Sequence, residues 1–300
     1  MKLDPHLAGA VLEPFFMKTG WRETMNYAAA VFDDNPFYFD DEKQDGIVAH
    51  PMFAAAATWP VAGSLAGRVK SARFPREALA FLVHHEEHIL FHRLIRPGDE
   101  LSISGKIAAI LPGRSGARAV VRLDAADAEK RPVFTEHIGG VLRGVECDGP
   151  GKGEGALPDF FQASFSPDPA PGKTPWRADI PIPTWAPHLY DGCSGISFPI
   201  HTSPKFARGV GLPGVILQGT ALLALGVREI VNREANGDPR ALRELFGRFT
   251  AMVEPGSAIA VQKTGESSPK GAAKGVHFEI LNEKGQRAVS GGYAAVSDFA

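Results

Sequence analysis

A chain of 300 residues and 32.1 kDa is long enough for one large domain or two of ordinary size. Its 32 basic side chains against 34 acidic ones leave no bulk basic field to gather nucleic acid. Two cysteines, Cys147 and Cys193, exclude the disulfide framework of a small secreted fold and fit a reducing compartment; 33 glycines and 24 prolines without a Gly-x-Y period exclude a fibrous one.

The first residues form no continuous apolar run, and the most apolar helical stretches, around 54–65 and 221–231, are too short to span a bilayer. These features predict a soluble, cytoplasmic protein. Residues 21–31 read as a short helix that runs into an acidic loop, with Trp21, Met25 and Ala28 on one face. Residues 52–69 read as a longer alanine-rich helix that Pro60 and Gly63 should kink or shorten. Strands are predicted over 79–91, 101–111, 117–123 and 133–145, separated by Pro97-Gly98-Asp99, Pro112-Gly113 and the polar run 124–131. The stretch 149–175, rich in Gly, Pro and Asp, reads as a linker with too few branched residues to fill a core.

Beyond it the order returns. A helical piece leads into 190–199, a longer apolar helix covers 220–232, and strands follow at 245–253, 257–263, 275–281 and 287–296. Short loops favour local antiparallel pairing over parallel crossovers. The match is direct: Tyr27 and Pro36 recur as Tyr190 and Pro199 at equal separation, and Pro97-Gly98-Asp99 recurs as Pro255-Gly256-Ser257, each time before a strand. A repeat of this length is a duplicated domain.

Several of these residues resemble a known pattern. Tyr27 with Asp33-Asp34-Asn35-Pro36, then Gly46-Ile47-Val48-Ala49-His50-Pro51, Phe91-His92-Arg93 and Arg96-Pro97-Gly98-Asp99 carry it in the first half. Pro199-Ile200-His201-Thr202 and the run 211–219 from Gly211 to Gly219 carry it in the second. The chain resembles the MaoC-like double-hotdog acyl-thioester hydratases and dehydratases. The resemblance implies an α+β double hotdog: two curved antiparallel sheets joined edge to edge, each wrapped around a long central helix at 52–69 or 220–235. It implies domains at 1–148 and 173–300 with a linker at 149–172. It also implies hydration of 2-enoyl thioesters or dehydration of 3-hydroxyacyl thioesters, R-configured, on coenzyme A or an acyl carrier. No cofactor or metal is expected, the partner being the acyl-thioester substrate, and a homodimer of double-hotdog chains is compatible with the family.

That chemistry needs a group to move a proton between water and the substrate, and donors to hold the enolate that develops on the thioester oxygen. In the resembled enzymes one loop supplies Asp, Asn two residues on and His five residues on. Here the set is divided. Asp33 and Asn35 stand in the first copy with Tyr38 at the histidine position; His201 stands in the second, with Ile196 and Phe198 at the other two. His201 is the leading acid/base candidate, and Asp33 and Asn35 are candidates to orient water, although Asp-Asp-Asn-Pro is also ordinary turn chemistry. Tyr38, His50, Gln218 and Gly219 are candidate substrate-binding residues, His50 and Gln218-Gly219 because they open the two central helices. Thioester hydrolysis on the same scaffold, or a catalytically degenerate binding subunit, are the competing functions.

His84, Glu86, His88 and His92 would share one face of a strand, which reads as a polar sheet face rather than a metal site. Arg93, Arg96, Lys270 and Lys274 are cations that could meet coenzyme A phosphates, and equally a solvated surface.

Overall fold

Alanine at positions 54–57 gives the helix Phe53–Ala62 a narrow, wholly buried flank, so a sheet can close around it. It packs against the strands Phe15–Lys18 and Pro132–Arg143. Its counterpart, the helix Gly219–Glu234, buries Leu222, Leu223, Leu225, Val227, Ile230 and Val231 against the strands Leu242–Phe249, Lys274–Leu281 and Arg287–Val296. In this computed structural model residues 1–71, 74–153, 157–161, 175–268 and 274–297 are described.

The two halves form one continuous sheet of opposite strand order. From one edge it runs Phe15–Lys18, Glu100–Leu111, Gly116–Ala126, Pro132–Arg143 and Leu82–Phe91. It continues through Leu242–Phe249, Arg287–Val296, Lys274–Leu281, Ala258–Ser267 and Arg177–Pro181. Within each half neighbouring strands are antiparallel, and the halves join where Leu82–Phe91 pairs antiparallel with Leu242–Phe249, from Leu90 opposite Glu244 to Glu86 opposite Arg248. This is the α+β double hotdog that the resemblance implied.

The repeat has a physical centre. Tyr27 and Tyr190, 163 residues apart, meet with their hydroxyl oxygens 2.9 Å from one another, both fully buried. Gly98 and Gly256, the glycines of the repeated Pro-Gly turn, take left-handed φ values of 90° and 86°. The helix Trp21–Ala30 ends at Phe32, φ 55°, and the helix Ala186–Ser194 ends at its counterpart Gly195, φ 70°. A phenylalanine in this region is strained. Arg228 of the other half offsets that strain by donating from Nη1 to the carbonyl oxygens of Val31 and Phe32.

The helix read over 52–69 is shortened as Pro60 and Gly63 led one to expect: it runs Phe53–Ala62 with Pro60 inside it, stops at Gly63, and is followed by a short turn Leu65–Arg68. Two local readings are corrected. The strand predicted from 79 begins only at Leu82, because Arg76–Phe81 winds into a 3-10 turn. The linker is not empty of core residues: Phe160 and Phe161 are buried on the outer face of the sheet, Phe160 stacked on Phe246 at 4.7 Å between centroids. Arg118 and Arg248 hold this segment, donating to the carbonyls of Phe161 and Phe160. Most of the remaining linker lies outside the described residues. Among those described, no helix is long and apolar enough to cross a membrane.

Candidate functional site

In the second half, the helix Ala186–Ser194 stops at Gly195 and the chain turns through Pro199–His201 toward the central helix. His201 is part-buried, its Nδ1 2.8 Å from the carbonyl oxygen of Ile216. A carbonyl only accepts, so Nδ1 carries the proton and Nε2 keeps its lone pair. Burial lowers the His201 pKa, opposed by the Ile216 bond and by the charge of Asp191, so the imidazole is neutral at neutral pH. Ile216 lies just before the helix start. Leu217 N–H donates to the Val253 carbonyl at 2.9 Å and the Gln218 amide donates to the Pro187 carbonyl at 3.0 Å, which pins that start beside His201.

Gln218 caps the helix Gly219–Glu234 in position only, since its side chain makes no capping bond. The first N–H groups of this helix therefore keep their donor capacity and the positive end of the helix dipole. Gly219 has a packing reason for lacking a side chain, because a Cβ there would sit 3.0 Å from the Phe249 ring. Gln218 Oε1 is buried without a partner.

The first half is arranged otherwise. Asp33 Oδ1 accepts the Asn35 N–H at 3.1 Å in an Asx turn. Asn35 accepts from Phe37 N–H at 3.0 Å and donates to the Gly237 carbonyl at 2.7 Å, which commits its amide to structure. His50 is fully buried. Its Nδ1 accepts the Met52 N–H at 3.1 Å, and its Nε2 faces Asp33 Oδ2 at 3.7 Å, too long for a hydrogen bond. Burial, with the Arg228 charge, pushes the His50 pKa down to about 3. Tyr38 is buried with its ring 5.4 Å from His50 and its hydroxyl unpartnered. At the helix start, Phe53 N–H and Ala54 N–H donate to the carbonyls of His50 and Pro51 at 2.8 and 3.3 Å. Donors that are free in the second half are occupied here.

The sequence candidates thus fall into two clusters. Asp33, Asn35, Tyr38 and His50 come together in the first half, and His201, Gln218 and Gly219 in the second. Tyr27 bridges them, its ring 5.6 Å from His50 and its hydroxyl on Tyr190. Among the described residues Asp33 and His201 share no hydrogen bond or ion pair, and their partners do not overlap.

Burial raises the Asp33 pKa to about 6, against the Asn35 N–H and the Arg228 charge. A carboxylate raised in the folded state adds stability at low pH and loses it as pH climbs through that value. Asp33→Asn is therefore expected to gain on wild type by roughly 3 kcal/mol as pH rises from about 4 to above about 6. Denaturant melts across this range check it; a difference independent of pH would show that Asp33 ionises freely.

Sequence reasoning missed other buried groups. Glu87 and Glu136 lie fully buried beside one another, and their charges reach Tyr27; burial lifts the Glu87 pKa to about 8, and burial with the Glu87 charge raises that of Glu136 well above the ordinary carboxylate range. Asp191, one residue beyond Tyr190, was visible only as a difference between the copies, since its counterpart is Ala28.

The shared histidine face is also corrected. A bulge between His84 and Glu86 breaks the alternation, so His84 Nε2 turns to Glu87 at 3.1 Å, while His88 lies between His137 and Glu244 on the side covered by Phe160. Among the described residues no group of three metal-ligating side chains converges. Arg93 pairs with Asp99 and Asp127, and Lys274 with Glu234. Arg93 and Arg96 of the first half line a 380 Å³ cleft together with Arg240 and Arg243 of the second; Lys270 lies outside the described residues.

Residues 168–283 match the family model described as MaoC like domain, and residues 9–135 match that of the FAS1-like, dehydratase domain region. The chain is 29% identical over 268 residues to 3-hydroxyacyl-thioester dehydratase Y of Mycobacterium tuberculosis, covering 87% of each. It is 25% identical to the peroxisomal enoyl-CoA hydratase 2 of Arabidopsis thaliana, over 77% of this chain and 74% of that one. The solved MaoC-like dehydratase from Phytophthora capsici superposes with a TM-score of 0.77 over 98% of both chains at 18% identity. Two hotdog halves thus share one sheet in a double-hotdog fold, the second half matching the MaoC like domain and the first a dehydratase-region model, and the chain is similar along most of its length to acyl-thioester dehydratases and hydratases.

Proposed function

We propose that this chain hydrates 2-enoyl thioesters, or dehydrates 3-hydroxyacyl thioesters in reverse, at one working site in its second half. The observation that carries this reading is His201, tethered through Nδ1 with Nε2 unprotonated, next to a central-helix start whose N–H donors have no side-chain cap. His201 Nε2 takes a proton from water as the water oxygen bonds to C3. The C2–C3 π pair moves through C2 toward the thioester oxygen, and the N–H groups at Gly219 stabilise the enolate. The imidazolium then returns the proton to C2, so the enoyl thioester gains one water and His201 is regenerated.

The same reading divides the chain into halves at 1–148 and 173–300 with a linker at 149–172. It admits a homodimer of double-hotdog chains, which light scattering distinguishes from a monomer, and it places the enzyme in the cytoplasm, which the two free cysteines support. The test is a panel of trans-2-enoyl thioesters on coenzyme A, followed by loss of the conjugated enoyl absorbance and by product chirality. Hydration is expected. Release of free thiol in its place would establish hydrolysis, and tight binding without turnover would establish a degenerate subunit.

A further inference from the structure

Each half keeps a carboxylate with a buried oxygen near its loop, at different places. In the first copy it is Asp33, whose counterpart is Ile196; in the second it is Asp191, whose counterpart is Ala28. Ile196 is buried, its N–H donating to Ser194 Oγ at 3.1 Å, and so no polar group acts from that position. The helix Ala186–Ser194 packs against the turn that carries His201. His188 marks the face that does so, with Nε2 donating to the Thr202 carbonyl at 3.2 Å. Asp191 is three residues further along that helix and shares the face. Its Oδ2 is buried with no hydrogen-bond partner.

We propose that Asp191 is the positioning carboxylate of His201, taking over from the last turn of the helix the task that the missing motif aspartate would perform from the loop. The inference rests on the reading of His201 as the acid/base group. A carboxylate here stabilises the imidazolium that forms when water gives up its proton, and the charge of Asp191 does favour the protonated form of His201. The other titratable or charged groups on the elements packed here are His188 on the same helix, Lys205 and Arg208 on the helix Pro204–Gly209 that packs against the His201 turn, and Arg22 on the helix Trp21–Ala30, whose charge reaches Cys193. Because the first copy has alanine at this place and tyrosine in place of the histidine, the pair exists in one half only.

The test compares wild type with Asp191→Asn and Asp191→Glu, all checked for folding by thermal melts. The first readout is the NMR titration of His201, identified by the resonance that His201→Ala removes. Its pKa is expected to fall in Asp191→Asn and to return toward wild type in Asp191→Glu. The second readout is kinetic: kcat falls about ten-fold or more in Asp191→Asn with KM nearly unchanged. The acidic limb of kcat/KM then moves to lower pH, since a neutral His201 persists further down. An unchanged His201 titration, or an unchanged kcat in Asp191→Asn, overturns the proposal. If wild type hydrates no thioester, the functional reading fails while the titration still decides whether Asp191 and His201 are coupled.

Discussion

His201→Ala is expected to lower the rate of enoyl-thioester hydration by roughly 10²–10⁴-fold, the usual cost of removing a positioned proton-transfer group. The loss should appear in kcat with KM little changed, because the imidazole acts on water as C3 is attacked and the thioester is held elsewhere. Folding should survive, since His201 is part-buried and gives up one bond, to the Ile216 carbonyl. Asp33→Asn is the matched control: its site is buried in the other half, its helix donors are occupied, and activity should stay close to wild type. Steady-state kinetics on purified variants, each shown by a thermal melt to be folded at the assay temperature, check both. Full activity in His201→Ala, or a comparable loss in Asp33→Asn, would move the reaction away from the second half.

The largest stability effect is expected at Glu86, on the seam between halves. Its carboxylate is 3% exposed and bridges Arg118 Nη2 at 2.8 Å and Arg248 Nε at 3.0 Å. The two guanidiniums come from opposite halves and also hold the buried linker carbonyls of Phe160 and Phe161. Glu86→Ala leaves both cations facing each other in a largely dry setting, at a cost of about 3–5 kcal/mol. Glu86→Gln keeps one acceptor for them and should cost less. Denaturant unfolding measures the difference, and an unchanged midpoint in Glu86→Ala would mean that the seam is held by strand pairing and apolar packing alone.

Much of this molecule is legible in its sequence because duplication prints the same physics twice. Paired Tyr27 and Tyr190, and paired Pro-Gly turns, mark positions where two copies need the same contact or the same left-handed turn. Where the copies diverge, the sequence shows a difference without its consequence. The Asp33, Asn35, Tyr38 and His50 set reads as a half of an active site, but only coordinates show Asn35 committed to turn and interdomain bonds and His50 to the Met52 N–H. The face of His84 was unreadable for a similar reason, since one bulged residue reverses the side-chain alternation without changing composition. Phe160 and Phe161 sit in a segment whose glycines and prolines say linker, and their burial depends on an apolar patch contributed by Phe246 and Tyr293 from the distant second half.

One working site per chain, in the second half, is the central claim, and a crystal structure with an unreactive enoyl-thioester analogue tests it most directly. The account predicts one ligand per chain, its thioester oxygen on the N–H groups at Gly219 and its C3 beside His201 Nε2. A ligand seated instead against Asp33 and His50, or two ligands related by the Tyr27–Tyr190 pair, would contradict it.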